Sequence, residues 1–204
     1  MMDPAAGLHD GPQAGDITGR ETDPRWRRLQ EIIRLYSLKR GEFKLSSGRC
    51  STYLFQLRQT TLLPEGAALI AGIIVDYMKR LHLASIGGLE LGAVPIVSAV
   101  AAVSHLRGYP VDAFFVRKVQ KEHGARERID GHLRAGAEVL MVDDVATTGG
   151  SILKAVEGMK SEYPGAHVRR ALVVVDREEG AAQNLAAAGI ELAAIFKRRD
   201  FPEI

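Results

Sequence analysis

The 204-residue chain has a single cysteine, Cys50, so it forms no intrachain disulfide and no cysteine-based zinc site. A reducing compartment is consistent with this, and a cytoplasmic setting is expected. Net charge is also scarce: 27 Lys and Arg against 25 Asp and Glu leave +2. That excess is too small to attract nucleic acid in bulk, and no nucleic-acid partner is expected. Long apolar runs are missing as well. The most apolar stretch, 83–106, is interrupted by Gly87, Gly88, Glu90, Gly92 and Pro95. It reads as a strand, a turn and a buried helix, and no membrane association is expected. The opening MMDPAAGLHDGPQAGD has no basic stretch followed by an apolar one, so no secretory leader is read there. Several catalytic motifs are absent too. GxGxxG, HExxH and GxSxG do not occur. Gly87 and Gly92 have the glycine spacing of a P-loop, but Ala93 and Val94 follow them where Lys and Ser/Thr are required. The six histidines are scattered without ligand spacing. These absences argue against an ATPase, a simple dinucleotide enzyme, a zinc hydrolase and an α/β-hydrolase.

What is present is an ordinary globular composition, 46% hydrophobic and 25% charged. Residues 1–24 are rich in Gly, Pro, Asp and Ala without periodicity and read as a mobile tail. Residues 25–204 read as one domain. Leu29, Ile32, Ile33 and Tyr36 follow a helical period from Arg25 onward. The stretch 43–57 suggests a small strand or hairpin, and 64–82 a helix with Pro64 near its start. Strands near 84–86, 111–116, 139–142, 168–175 and 192–196 then alternate with helices to about 107, over 151–163 and over 178–188. That rhythm predicts an α/β fold with a central parallel sheet flanked by helices. Ligands of such sheets bind beyond the carboxyl ends of the strands, which directs attention to 87–92, 117–131, 143–151 and 176–180.

The strongest signal is VLMVDDVATTGGSI, residues 139–152. An apolar strand ends in two adjacent carboxylates, Asp143 and Asp144. Val145, Ala146, Thr147, Thr148, Gly149, Gly150 and Ser151 then lead into a helix. A loop of small residues exposes successive backbone N–H groups, and the helix start adds the positive end of its dipole, so this half suits a phosphate. Carboxylates only accept hydrogen bonds, so the acids suit ribose hydroxyls or water on a magnesium ion. Alone, two adjacent acids read first as a bend and a helix cap. Beside an anion cradle they point to a sugar phosphate.

This segment resembles the signature of type I phosphoribosyltransferases, which bind phosphoribosyl pyrophosphate (PRPP). The resemblance implies that family's fold, with a small N-terminal hood element. It implies that Asp143 and Asp144 hold the ribose hydroxyls and that Val145–Ser151 hold the 5′-phosphate. FFVRKVQKEHG, residues 114–124, resembles the mobile catalytic loop of orotate phosphoribosyltransferases. Its cations map onto Arg117, Lys118, Lys121 and His123, all PRPP-binding by this likeness, with Lys121 catalytic beside Asp143 and Asp144. Read alone, 117–131 is a structureless charged connection at the length where lids are common, with Gly124 and Gly131 as hinges. FKLSSGRCSTYLFQLR (43–58) resembles the hood segment, with Ser47, Gly48 and Ser51 in place. GGLELGAVPI (87–96) resembles the pyrophosphate-side loop. VDREEGA (175–181) resembles the segment whose arginine contacts orotate, here Arg177. Thr147 is the second residue expected on the orotate side.

The resemblance covers about residues 26–200. It departs from the pattern at Ser46, Leu54, Gln56 and at Leu91, where some members carry Lys. It implies an enzyme joining orotate to PRPP to give orotidine 5′-monophosphate and pyrophosphate in pyrimidine (UMP) synthesis. The implied cofactor is Mg2+, carried by PRPP and reached through water by Asp143 and Asp144, with no direct protein ligand. The implied assembly is a homodimer whose lid serves the neighbouring subunit's site. Two other readings compete: a phosphoribosyltransferase for another base, and a PRPP-sensing regulator or RNA-binding relative without catalysis.

Overall fold

The computed structural model describes residues 17, 22–44, 50–119 and 127–204. The remaining tail residues, Ser46, Ser47 and Gly48 of the hood, and Lys121, His123 and Gly124 of the lid lie outside the described residues. The first helix, α1 (Pro24–Ile32), starts on Asp23, whose carboxylate accepts the Arg25 N–H, and has proline in its first turn. It buries Trp26, Leu29 and Ile32. Asp23 and Pro24, counted with the tail on composition, therefore belong to the body, and Ile17 is buried in the same apolar cluster as Trp26. A π-helical turn over 33–37 leads into β1 (Leu38–Lys44), which pairs antiparallel with β2 (Cys50–Phe55); the hairpin expected over 43–57 begins five residues earlier, where Leu38, Lys39 and Arg40 pair with Phe55, Leu54 and Tyr53.

After a short helix α2 (Arg58–Thr61) come α3 (Pro64–Arg80), β3 (Ser85–Gly88), α4 (Ala93–Leu106), β4 (Asp112–Val116), β5 (Ile129–Gly131), β6 (Glu138–Ala146), α5 (Gly150–Glu162), β7 (His167–Asp176), α6 (Ala181–Ala187) and β8 (Glu191–Lys197). The six-stranded sheet runs β5-β4-β3-β6-β7-β8. All pairs are parallel except β4 with the edge strand β5. Side chains alternate across the sheet as a pleated strand requires. Leu140 and Val142 pack with α1, α3 and α4 on one face, and Val139 and Met141 with α5 and α6 on the other.

Three more boundaries differ from the sequence reading. The stretch 117–131 is not structureless throughout: Ile129, Asp130 and Gly131 pair with Val116, Phe115 and Phe114. Strand β6 runs on past Val142 through both aspartates to Ala146, because β7 continues to pair with it at Val173 and Val175. Helix α6 begins at Ala181 rather than Glu178, since Glu178 and Gly180 both adopt positive φ and form a turn.

Gly87 illustrates how tightly the sheet packs: a Cβ there would lie 2.2–2.5 Å from ring atoms of the buried Phe114. Overpacking of this kind costs about 1–3 kcal/mol. Gly87→Ala is expected to lower the thermal midpoint by roughly 3–10 °C in calorimetry, and an unchanged midpoint would show that the ring has room to move.

Candidate active site

The strand order reverses between β3 and β6, so the chain leaving β3 goes to α4 on one face and the chain leaving β6 to α5 on the other, which opens a crevice between the two connections. A cavity of about 900 Å³ lies there, roofed by Glu42, Phe43 and Leu54 of the hairpin. Its floor carries Asp143 and Asp144, and Leu89–Gly92 form one wall. The Glu90–Leu91 peptide is cis.

Asp143 is 7% exposed and its Oδ1 accepts the Asp144 N–H at 2.9 Å. Asp144 Oδ1 in turn accepts the Val145 N–H at 2.8 Å. Burial, and then the neighbouring Asp144 charge, hold the Asp143 carboxyl well above the usual carboxylate range; the Asp144 N–H and Lys118 only partly oppose this. The unfolded chain releases this proton near pH 3.9, at about the ordinary aspartate value. Above that pH the folded protein still holds the proton, so stability falls as pH rises toward the folded value. Asp143→Asn is therefore expected to raise the melting midpoint of the ligand-free protein at about pH 8, with the gain shrinking as pH falls toward 4. A gain independent of pH would contradict this origin.

Gly92 shows how closely the wall approaches. A Cβ on it would sit 2.6 Å from Asp143 Oδ1 and 2.7 Å from Asp144 Oδ1. Only a residue without a side chain lets the two carboxylates and the wall share this space.

From the end of β6 onward, residues 145–152 curl around a second hollow of about 240 Å³. Gly149 makes the turn at φ +78 and no side chain caps α5, so the first-turn N–H groups face the hollow. Asn184 Nδ2 donates to the Thr148 carbonyl at 2.9 Å and steadies the loop from α6. Thr147, Thr148 and Ser151 line both hollows, with Gly150 in the smaller one. The cup suits an anion of phosphate size. Ala146 differs from its neighbours: its side chain is buried and its carbonyl accepts the Arg177 N–H at 2.9 Å.

Arg177 is only 6% exposed, yet it lines the cavity. Its Nη2 donates to Ser51 Oγ at 3.3 Å, its guanidinium carbon lies 4.6 Å from the Tyr53 ring centre, and its Nε is 2.8 Å from Glu179 Oε1. The hood hairpin and the end of β7 are thus joined through one guanidinium, held flat for a planar ligand bearing oxygens. The lid residues divide. Lys118 lines the cavity, and its N–H donates to Glu90 Oε1 at 2.8 Å. Arg117 does not line it: its guanidinium pairs with Asp130 across the β4–β5 hairpin and stacks on Phe115.

The sequence reading passed over Glu90, Gly92, Arg58 and Tyr53 as site residues. Glu90 and Gly92 lay within a segment already marked, but nothing local distinguished them. Tyr53 sits in the hairpin and Arg58 opens the short helix just after it, and the closure of this segment over the sheet is a long-range event.

Residues 59–188 match the model of the phosphoribosyl transferase domain. An orotate phosphoribosyltransferase of Bradyrhizobium sp. strain BTAi1 is 48% identical over 178 residues, covering 85% of this chain and 95% of the relative. That of Aquifex aeolicus is 43% identical over 173 residues, covering 83% and 93%. The crystal structure of Mycobacterium tuberculosis orotate phosphoribosyltransferase in complex with PRPP superposes with a TM-score of 0.73 at 35% identity, covering 88% of this chain and 99% of that one. With more than half of its length matched to that domain and relatives above 40% identity along most of it, the chain belongs to the phosphoribosyl transferase domain family, among the orotate phosphoribosyltransferases.

Proposed function

We propose that the chain joins orotate N1 to the anomeric carbon of PRPP, releasing pyrophosphate and forming orotidine 5′-monophosphate for pyrimidine synthesis. One observation carries this reading. The acid pair at the end of β6 and the anion cup beginning three residues later face Arg177 in one cleft, so a ribose phosphate and a flat acidic base fit together. Thr147, Thr148, Gly149, Gly150 and Ser151 seat the 5′-phosphate, Asp143 and Asp144 accept from the ribose hydroxyls, and Arg177 with Thr147 orients orotate. Bond breaking leaves positive charge on the sugar and negative charge on the leaving pyrophosphate. Preset charges in a closed site favour that separation. Lys118 contributes from the cavity wall. Lys121 and His123 contribute from the lid, as does Arg117 once it leaves Asp130.

The donor set also fits a magnesium ion carried by the substrate. Asp143 and Asp144 stand side by side in the cleft; once the Asp143 proton is drawn off by the cation both only accept, which suits the hydration shell of such an ion. When bound, Mg2+ neutralises pyrophosphate charge. Loss of orotate absorbance with PRPP and Mg2+ is the expected result, suppressed by chelator and restored by added magnesium. Turnover of adenine, hypoxanthine or uracil without turnover of orotate would sink the assignment. Among the described residues no helix is long and apolar enough to cross a membrane. A cytoplasmic location is part of the proposal.

We further propose a homodimer in which each lid completes the neighbour's site. Lys121→Ala and the Asp143→Asn, Asp144→Asn double variant are each expected to be nearly inactive. Mixed and allowed to exchange, about half the dimers become hybrid and each hybrid has one intact site, so roughly a quarter of wild-type activity returns. No recovery despite exchange seen by mass spectrometry would place each lid on its own subunit.

A further inference from the structure

We propose that Arg58 binds the pyrophosphate end of PRPP, an assignment that rests on the transferase reading above. Arg58 opens α2, which packs against α4, and α4 begins where the Leu89–Gly92 wall ends. Arg58 lines the cavity together with that wall. Its guanidinium is exposed and makes no hydrogen bond or ion pair with any described residue.

The charge balance of the cavity sharpens the point. Its described lining carries four carboxylates, Glu42, Glu90, Asp143 and Asp144, and three cations, Arg58, Lys118 and Arg177. Arg177 is already engaged by Ser51, Tyr53 and Glu179 on the base side. The wall itself presents Leu91, 59% exposed, which offers no charge. A pyrophosphate set against that wall therefore needs cations from neighbouring elements: Lys118, whose backbone N–H is bonded to Glu90 of the wall, offers an ammonium, and Arg58 is the lining guanidinium that no described residue engages. A guanidinium presents a planar fork of donors that matches two phosphoryl oxygens.

Calorimetric titration of the 204-residue chain with magnesium pyrophosphate, alongside steady-state kinetics, tests this. Arg58→Ala is expected to weaken pyrophosphate binding about tenfold or more and to raise the KM for PRPP similarly, since a hydrogen-bonded charge contact is lost. The KM for orotate and the melting midpoint should stay at wild-type values. Arg58→Lys keeps the charge without the fork, so a partial return is expected, and it serves as the second probe if the alanine variant folds poorly. Unchanged pyrophosphate affinity in either variant overturns the proposal. So does a raised KM for orotate with pyrophosphate binding unmoved, which would move Arg58 to the base. If the wild-type chain consumes no orotate yet binds pyrophosphate in an Arg58-dependent way, the anion site stands and the transferase reading fails.

Discussion

Replacing Asp143 and Asp144 together by asparagine is expected to lower kcat/KM for PRPP by about a thousandfold, with the protein still folded. Each carboxylate accepts hydrogen bonds that a neutral amide accepts more weakly, and charged hydrogen bonds contribute about 1.5–3 kcal/mol apiece. Two such losses multiply to about a hundredfold to ten-thousandfold. The same double variant should melt higher than wild type at neutral pH. Burial and mutual repulsion make the ligand-free acid pair a standing cost to the fold, and Asp143 carries the larger share of burial. Loss of activity with gain of stability separates a binding role from a structural one. Unchanged calorimetric PRPP binding in the folded variant would refute the role assigned to the acids. A lower midpoint would mean that they hold β6 in place.

Gly92→Ala carries the second large effect. The added methyl group would meet Asp143 Oδ1 at 2.6 Å and Asp144 Oδ1 at 2.7 Å, distances that real side chains do not sustain. What must move are the ends of two side chains rather than backbone, so the fold should absorb the change with a small shift in midpoint. The acids, however, are displaced from where ribose hydroxyls need them. A misplacement near 1 Å costs about a hundredfold in rate, and a loss of that order in kcat/KM for PRPP is expected, with orotate affinity little altered. Because glycine acts only through the carboxylates, adding Gly92→Ala to the asparagine double variant should cost little more. An equal further loss in that background would show that Gly92 acts on the ligand directly. The contrast with Gly87→Ala is instructive: there the obstacle is the buried Phe114 ring, so stability suffers first.

Strand β6, the glycine turn at Gly149 and helix α5 were legible because their causes are local. An apolar run fits a buried strand, adjacent glycines permit positive φ, and small residues expose N–H groups to a helix start. The alternation of strands and helices likewise announced a parallel sheet with its ligand at the carboxyl ends. Resemblance to known motifs supplied what local physics does not, the identity of the sugar phosphate and the base. Other features depended on residues far apart in sequence. Asp143 and Asp144 read as loop residues, yet they lie within a strand because β7 pairs past them. Arg117 read as one of four PRPP-binding lid cations, yet Asp130, brought alongside by β5, takes its guanidinium away from the cleft. Arg177 reaches Ser51 across 126 positions, and Gly92 meets the acid pair across some fifty, contacts that exist only once the hairpin and the sheet have closed on each other. From its own residues the chain determined its strands, its helices and the chemistry of its anion loop, since these follow from periodicity and backbone freedom along a few neighbouring positions. Which charges face the ligand, which are neutralised by one another and which glycine must stay bare were decided by tertiary packing, because electrostatic and steric contact depend on distance in space and not on distance along the chain.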